Sequence, residues 1–346
     1  MHARLDTVTS MRHRIVWSQA WTIAVCGALL VTGCGADSGP SAADVIAFME
    51  VRSEDEVRIV QQPLDAADPE ELSTPKGFRS ITPAFSSSGA EVAFIAVPAG
   101  TDSMADNIVY VMKTDGSDPV AIARPRDPAF EIADDSRRLS FPVFSPDGTE
   151  VAFTVSSIDR RGSEYHIVGV DGSNLRRLAV LSNSEQEADR VAFSPDGATV
   201  VFSHPTDGRH YDLYAADTKG GKPAMLLSTA SVEPLMPALS PDGSTIIYSV
   251  QDYEQQKASD GDRDTALFAV DADGTDPHRI TDWGSTGTAD RIFAAWSPNG
   301  NQIAFSGSFE GQQAPSAVFV MDADGTDLRR LSPERADVEY VFPAWR

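Results

Sequence analysis

Cysteine is almost absent. The chain of 346 residues holds two, Cys26 and Cys34, both near its start. Nothing after Cys34 can form a disulfide or a thiolate, so neither a disulfide scaffold nor a thiol enzyme can be built there. Histidine is scarce as well. Past residue 34 only His166, His204, His210 and His278 remain, and none forms an H-x-H or H-E-x-x-H pair. There is no G-x-S-x-G nucleophile elbow, no phosphate loop and no dinucleotide-binding glycine string. These absences leave no catalytic residue to nominate, no resident metal and no cofactor to expect. Positive charge is also short, with 28 Lys and Arg against 51 Asp and Glu, a net of −23. Such a surface repels phosphate backbones, which excludes nucleic acid as a partner.

What is present begins with a leader. Arg12, His13 and Arg14 precede an apolar run from Ile15 to Val31, broken by Ser18, Gln19, Thr22 and Gly27. A basic start, an apolar stretch and small residues before a cut site make a secretory signal, expected over residues 1–33. Asp6 is unusual in such a leader, which leaves Met1 and Met11 as alternative starts. The string Val31-Thr32-Gly33-Cys34 resembles the lipobox of bacterial lipoproteins, whose cysteine becomes the lipid-bearing first residue. That resemblance implies lipidation at Cys34 and a place in the cell envelope, anchored to a bacterial membrane. An uncleaved anchor and plain secretion are the alternatives. Gly35 in second place favours the outer membrane if the cell is Gram-negative. Removing residues 1–33 takes away Arg4, Arg12, Arg14 and Asp6, which moves the net charge to about −25. Residues 34–44 then read as a small, polar tether, GADSGPSAAD after the cysteine. Ten residues reach at most about 35 Å.

The body, residues 45–346, is organised by a repeat. FSPDG occurs at Phe144–Gly148 and Phe193–Gly197, LSPDG at Leu239–Gly243 and WSPNG at Trp296–Gly300. A degenerate FSSSG runs from Phe85 to Gly89, and Pro343-Ala344-Trp345-Arg346 starts the unit again and stops. The marker positions 85, 144, 193, 239, 296 and 345 lie 46 to 59 residues apart. Proline presets the first corner of a turn, aspartate bonds nearby backbone and glycine takes the φ > 0 position. An alternating strand follows each turn, such as Val151-Ala152-Phe153 or Ile303-Ala304-Phe305. A third strand leads to a D-x-D-G turn and a fourth, as at Asp271–Gly274 before Arg279-Ile280. Four short strands per repeat make a propeller blade. The sequence thus predicts an all-β, six-bladed β-propeller of four-stranded antiparallel blades. Val45-Ile46-Ala47-Phe48 and Val57-Arg58-Ile59-Val60 lack a strand before them, and Phe342-Pro343-Ala344-Trp345 has the pattern to supply it. The C-terminal strand is expected to join the N-terminal strands and close the ring.

The pattern P-x-[FW]-S-P-D-G-x-x-[IV]-A-F, a strand ending D-x-D-G, then [RK]-[IL]-[ST], resembles the TolB-type propeller repeat, a distant relative of WD repeats. The resemblance covers residues 45–346 and omits the α/β domain that precedes the propeller in TolB. It implies the fold and leaves the function open.

Candidate sites are few. The S-P-D-G string recurs in every good copy in a role that needs turn chemistry, so it is read as architecture. The D-x-D-G turns place glycine fourth, with no glutamate at the twelfth position, and so do not fit a calcium-binding EF-hand loop. Asp260, Asp262 and Asp264 alternate in one long loop with Lys257 and Arg263 among them, which reads as solvated surface, with a metal site as the alternative. His204 and His210 flank another loop and read as an unliganded pair. The informative residues precede each first strand: Arg79, Arg138, Asp189 with Arg190, Glu233, Asp290 with Arg291, and Glu339 with Tyr340. They would ring one mouth of the central channel. Ordinary loop polarity is one account of them, and a binding mouth on a rigid scaffold the other. The leading functional expectation is a non-catalytic, monomeric envelope lipoprotein that offers this face to a protein partner. The alternative is an enzyme or binding protein acting on an envelope polysaccharide there.

Overall fold

The computed structural model describes residues 44–53, 56–100, 106–130, 137–157, 163–179, 190–205, 211–228, 233–251, 265–282, 292–307 and 315–346. Twenty-four strands form six four-stranded antiparallel sheets. The first sheet contains β1 (Val45–Val51), β2 (Val57–Pro63) and β3 (Glu70–Glu71). The second is β4 (Phe78–Phe85), β5 (Glu91–Pro98), β6 (Ile108–Lys113) and β7 (Val120–Ala123). The third is β8 (Arg137–Phe144), β9 (Glu150–Ser157), β10 (Ser163–Gly169) and β11 (Arg176–Ala179). The fourth is β12 (Val191–Phe193), β13 (Thr199–Pro205), β14 (Tyr211–Asp217) and β15 (Ala224–Leu227). The fifth is β16 (Leu235–Leu239), β17 (Thr245–Gln251), β18 (Thr265–Asp271) and β19 (His278–Arg279). The sixth is β20 (Phe293–Trp296), β21 (Gln302–Gly307), β22 (Ala317–Asp322) and β23 (Arg329–Arg330). The last strand, β24 (Glu339–Trp345), returns to the first sheet as its innermost member, in the order β24-β1-β2-β3. Residues 1–43, including Cys34 and the tether, and the Asp260, Asp262, Asp264 loop lie outside the described residues.

Closure is made by ladder pairing and by a tryptophan. Ile46 pairs with Trp345 and Ala47 with Ala344, and after a bulge Met49 pairs with Val341. The Arg346 amide donates to the Val45 carbonyl at 2.7 Å. The Trp345 side chain is fully buried, and its Nε1 donates to the Ala295 carbonyl of the sixth blade at 3.0 Å. Trp296, at the same position one blade earlier, donates to Ala238 of the fifth at 3.1 Å. Each tryptophan therefore fastens its inner strand to the blade before it.

Both turn motifs are mechanical. The Ser145 hydroxyl donates to Asp147 Oδ1 at 2.6 Å and accepts from the Glu150 amide at 3.0 Å, while the Thr149 amide donates to the same carboxylate at 3.0 Å. The network recurs at Asp196 and Asp242, and at Asn299, whose Oδ1 accepts from Ser297 at 2.8 Å. In the D-x-D-G turns, Gly274 and Gly325 have φ of +87° and +86°. A Cβ at either would run into the carbonyl oxygen of Leu226 or Ile280 in the preceding blade. These glycines serve blade-to-blade contact as well as turn geometry.

Truncation after Glu339 should therefore be far more damaging than the loss of a few terminal residues usually is. Loss of a buried Trp side chain alone costs about 3–5 kcal/mol, set against a whole-domain stability of roughly 5–15 kcal/mol. The truncated protein is expected to be insoluble or to melt far below the full chain in a thermal scan. A soluble product with an unchanged melting temperature would contradict closure by β24.

Candidate binding mouth

Six inner strands, β4, β8, β12, β16, β20 and β24, surround the channel and run the same way, so each register position forms a ring of six. Three residues before each marker residue stand Thr82, Phe141, Arg190, Met236, Phe293 and Phe342. Four of them, Thr82, Phe141, Met236 and Phe342, have φ between 53° and 63° and each precedes a proline. A left-handed conformation costs a non-glycine residue on the order of 1 kcal/mol or more. Its recurrence beside the inner-strand bulges shows that the packing around it holds it. All six residues are buried. Phe141, Met236, Phe293 and Phe342 share one core cluster, with the Phe293 and Phe342 ring centroids 4.4 Å apart. Arg190 Nη1 in the fourth blade donates to the Ala294 carbonyl in the sixth at 2.8 Å, a bond that reaches across the channel. Beneath this plug, on the S-P-D-G side, lies a cavity of about 30 Å³ lined in part by Phe85, Phe144 and Arg190. It has room for little more than a water or two. The channel is a cup with a floor.

Above the floor, among the described residues, stand Arg79, Arg138, Glu233 and Glu339. Six residues before each marker stand Arg79, Arg138, Glu187, Glu233, Asp290 and Glu339. Charged residues make up 23 % of the chain, so charge at all six of these sequence positions is not the scatter expected of loop polarity. Arg138 and Glu233 are buried, and Arg79 and Glu339 half-buried. Burial pushes the Glu339 carboxyl up to about 7, because a charge withdrawn from water loses solvation. Glu187 was missed by reading the connections, because those differ in length. Counting back from the marker finds it.

The other expected mouth residues divide. Arg190 sits one layer deeper, in the floor. Tyr340 is fully buried in the seam between the first and sixth blades, its ring edge-on to Phe48 at 5.6 Å. Asp189, Asp290 and Arg291, like Glu187, lie outside the described residues. Of the histidines, His166 is buried with Nε2 2.8 Å from Glu164 and its ring 4.8 Å from that of Phe130. His204 is buried beside Tyr165 and Tyr214, and that burial lowers its pKa to about 4. His278 is exposed on the outer strand β19, and His210 is outside the described residues. Among the described residues no group of three or more His, Cys, Asp or Glu could hold a metal ion.

Residues 40–283 match the family described as the TolB beta propeller domain. The chain belongs to the TolB beta-propeller family. No curated protein matches it. Among solved structures, TolB from Acinetobacter baumannii is similar at 18 % identity and a TM-score of 0.65, over 89 % of this chain and 67 % of that one. The aligned region leaves out the N-terminal domain. A putative TolB from Agrobacterium tumefaciens is similar at 18 % identity and a TM-score of 0.53, over 88 % and 98 %. An oligogalacturonate lyase in complex with manganese is similar at 15 % identity and a TM-score of 0.53, over 80 % and 72 %. At these identities the likeness establishes the fold and carries no activity with it.

The raised pKa of Glu339 has a stability consequence. The folded chain holds the proton to about pH 7, whereas an unfolded glutamate releases it near its ordinary value of 4.5. The stabilising contribution is complete below pH 4.5 and is lost as pH rises through 7. Glu339→Gln should therefore flatten the fall in melting temperature between pH 5 and pH 8. An unchanged slope in pH-resolved thermal scans would show that Glu339 ionises normally.

Proposed function

We propose that this chain is a non-catalytic binding module of the bacterial envelope, held at a membrane through a lipid on Cys34. It engages a protein partner through the mouth of the channel. The observation that carries this reading is charge at all six counted sequence positions, four of them, Arg79, Arg138, Glu233 and Glu339, described and set above the buried floor. A floored cup lined by fixed charges suits a side chain or chain end inserted from outside, and loops on rigid scaffolds commonly carry recognition. Carboxylates outnumber arginines four to two at these sequence positions, which favours a basic partner. Family membership is consistent with a binding propeller in the envelope. The rival reading, action on an envelope polysaccharide, draws on the fold shared with the lyase. It gains no support from the described histidines, which lie in blade seams or on an outer strand.

Two measurements test the proposal. Replacing Glu233, Asp290 and Glu339 with Gln, Asn and Gln should weaken capture of partner from detergent-solubilised envelope, most visibly at low salt. Capture by the unmodified chain should strengthen as pH rises through about 7, where Glu339 ionises. Equal capture by variant and parent would return the ring to a purely structural role. Separately, Cys34→Ser should release the protein into the soluble fraction and abolish incorporation of labelled palmitate. Membrane retention in that variant would overturn the lipid anchor.

A further inference from the structure

The point at which the chain enters the propeller fixes which face a lipid anchor would hold. Inner strands end at the S-P-D-G turns, and β24 ends there with Trp345 opposite Ile46. β1 runs antiparallel to β24, so Val45, bonded through its carbonyl to the Arg346 amide, lies on the turn face. The tether therefore leaves from the S-P-D-G side, one strand out from the axis. The charged ring lies at the opposite ends of the inner strands, at the far side of the plug.

That turn face is strongly acidic. Asp147, Asp196 and Asp242 project from the inner turns and Asp171, Asp273 and Asp324 belong to the outer ones. Hydrogen bonds from neighbouring hydroxyls and amides hold all six carboxyls below the usual range, so they stay ionised. Facing an anionic leaflet, such a surface is repelled rather than adsorbed. The tether, at most about 35 Å long, sets the distance.

We infer that the propeller is carried with its acidic turn face toward the membrane, standing off from it, and with the charged mouth directed away. This rests on lipidation of Cys34, and it gives the mouth a direction: its partner approaches from the side away from the anchoring bilayer. A partner in the same leaflet would have to reach around the disc.

The two ends of β5 provide the test. Ala90 and Ala99 are exposed and flank its eight residues, about 30 Å apart at 3.3 Å per residue. Ala90 is on the turn face and Ala99 on the mouth face. The mature lipidated chain has no other thiol, so Ala90→Cys and Ala99→Cys can each carry one fluorophore. Energy transfer would then be measured to an acceptor lipid in vesicles containing phosphatidylglycerol, with the purified lipoprotein inserted. Transfer from position 90 should exceed that from position 99 several-fold, and high salt should raise it by screening the repulsion. Flotation with the vesicles and equal or reversed transfer would overturn the orientation and leave the anchor standing. Failure of both labelled proteins to float would remove the anchor, and the orientation with it.

Discussion

Everything in this molecule depends on one strand pairing, β24 against β1. Radial sheets pack face to face only if the ring closes, and an unclosed ring exposes the inner faces of two blades together with a strand edge. The pairing joins the two ends of the described body, so every blade is held between two neighbours. Trp345 makes the joint directional, since its indole reaches the Ala295 carbonyl and commits β24 to the sixth blade as well as the first. Three of the six outer edges need little protection. β3, β19 and β23 are two residues long and carry Glu70 and Glu71, His278 and Arg279, and Arg329 and Arg330. Short charged edges offer little for another chain to extend.

The repeat divides labour along the axis. At one end, S-P-D-G and D-x-D-G turns repeat closely because each must satisfy its own hydrogen bonds and, at Gly274 and Gly325, clear the neighbouring backbone. In the middle, the bulge residues fill the channel with aromatic and aliphatic side chains. At the other end nothing in the turn chemistry restricts the residue type, yet all six counted sequence positions are charged, the described Arg79, Arg138, Glu233 and Glu339 among them. Charge at positions that no turn motif dictates is the pattern expected of a surface that meets something else.

The architecture was legible in the sequence because turn chemistry is local. Proline, aspartate and glycine at fixed offsets specify a corner without reference to the rest of the chain, and the split blade follows from counting strands. The channel was much less legible. Its rings are properties of register, and the connections that precede the inner strands vary in length, so reading loop by loop scattered equivalent residues. Arg190 and Tyr340 were grouped with the mouth because they adjoin it in sequence. A pleated strand sends successive residues to opposite sides, which puts Tyr340 in a seam. Arg190 stands three residues before its marker, at the level of the buried floor residues.

The closing strand and the proposed binding surface share one element. Glu339 is the first residue of β24 and pairs with Val51, at the mouth end of the joint that Trp345 fastens at the other. A cation bound beside Glu339 would favour its ionised form and remove the cost of holding a bare charge in a half-buried position. Whatever binds only the closed ring also stabilises it by mass action. Occupancy of the mouth and integrity of the ring are therefore linked through the same seven residues. In the empty state the linkage runs the other way: above pH 7 the desolvated carboxylate weakens the strand on which closure depends. Placing the proposed recognition charge on the closing strand would tie the stability of the whole propeller to occupancy of the mouth.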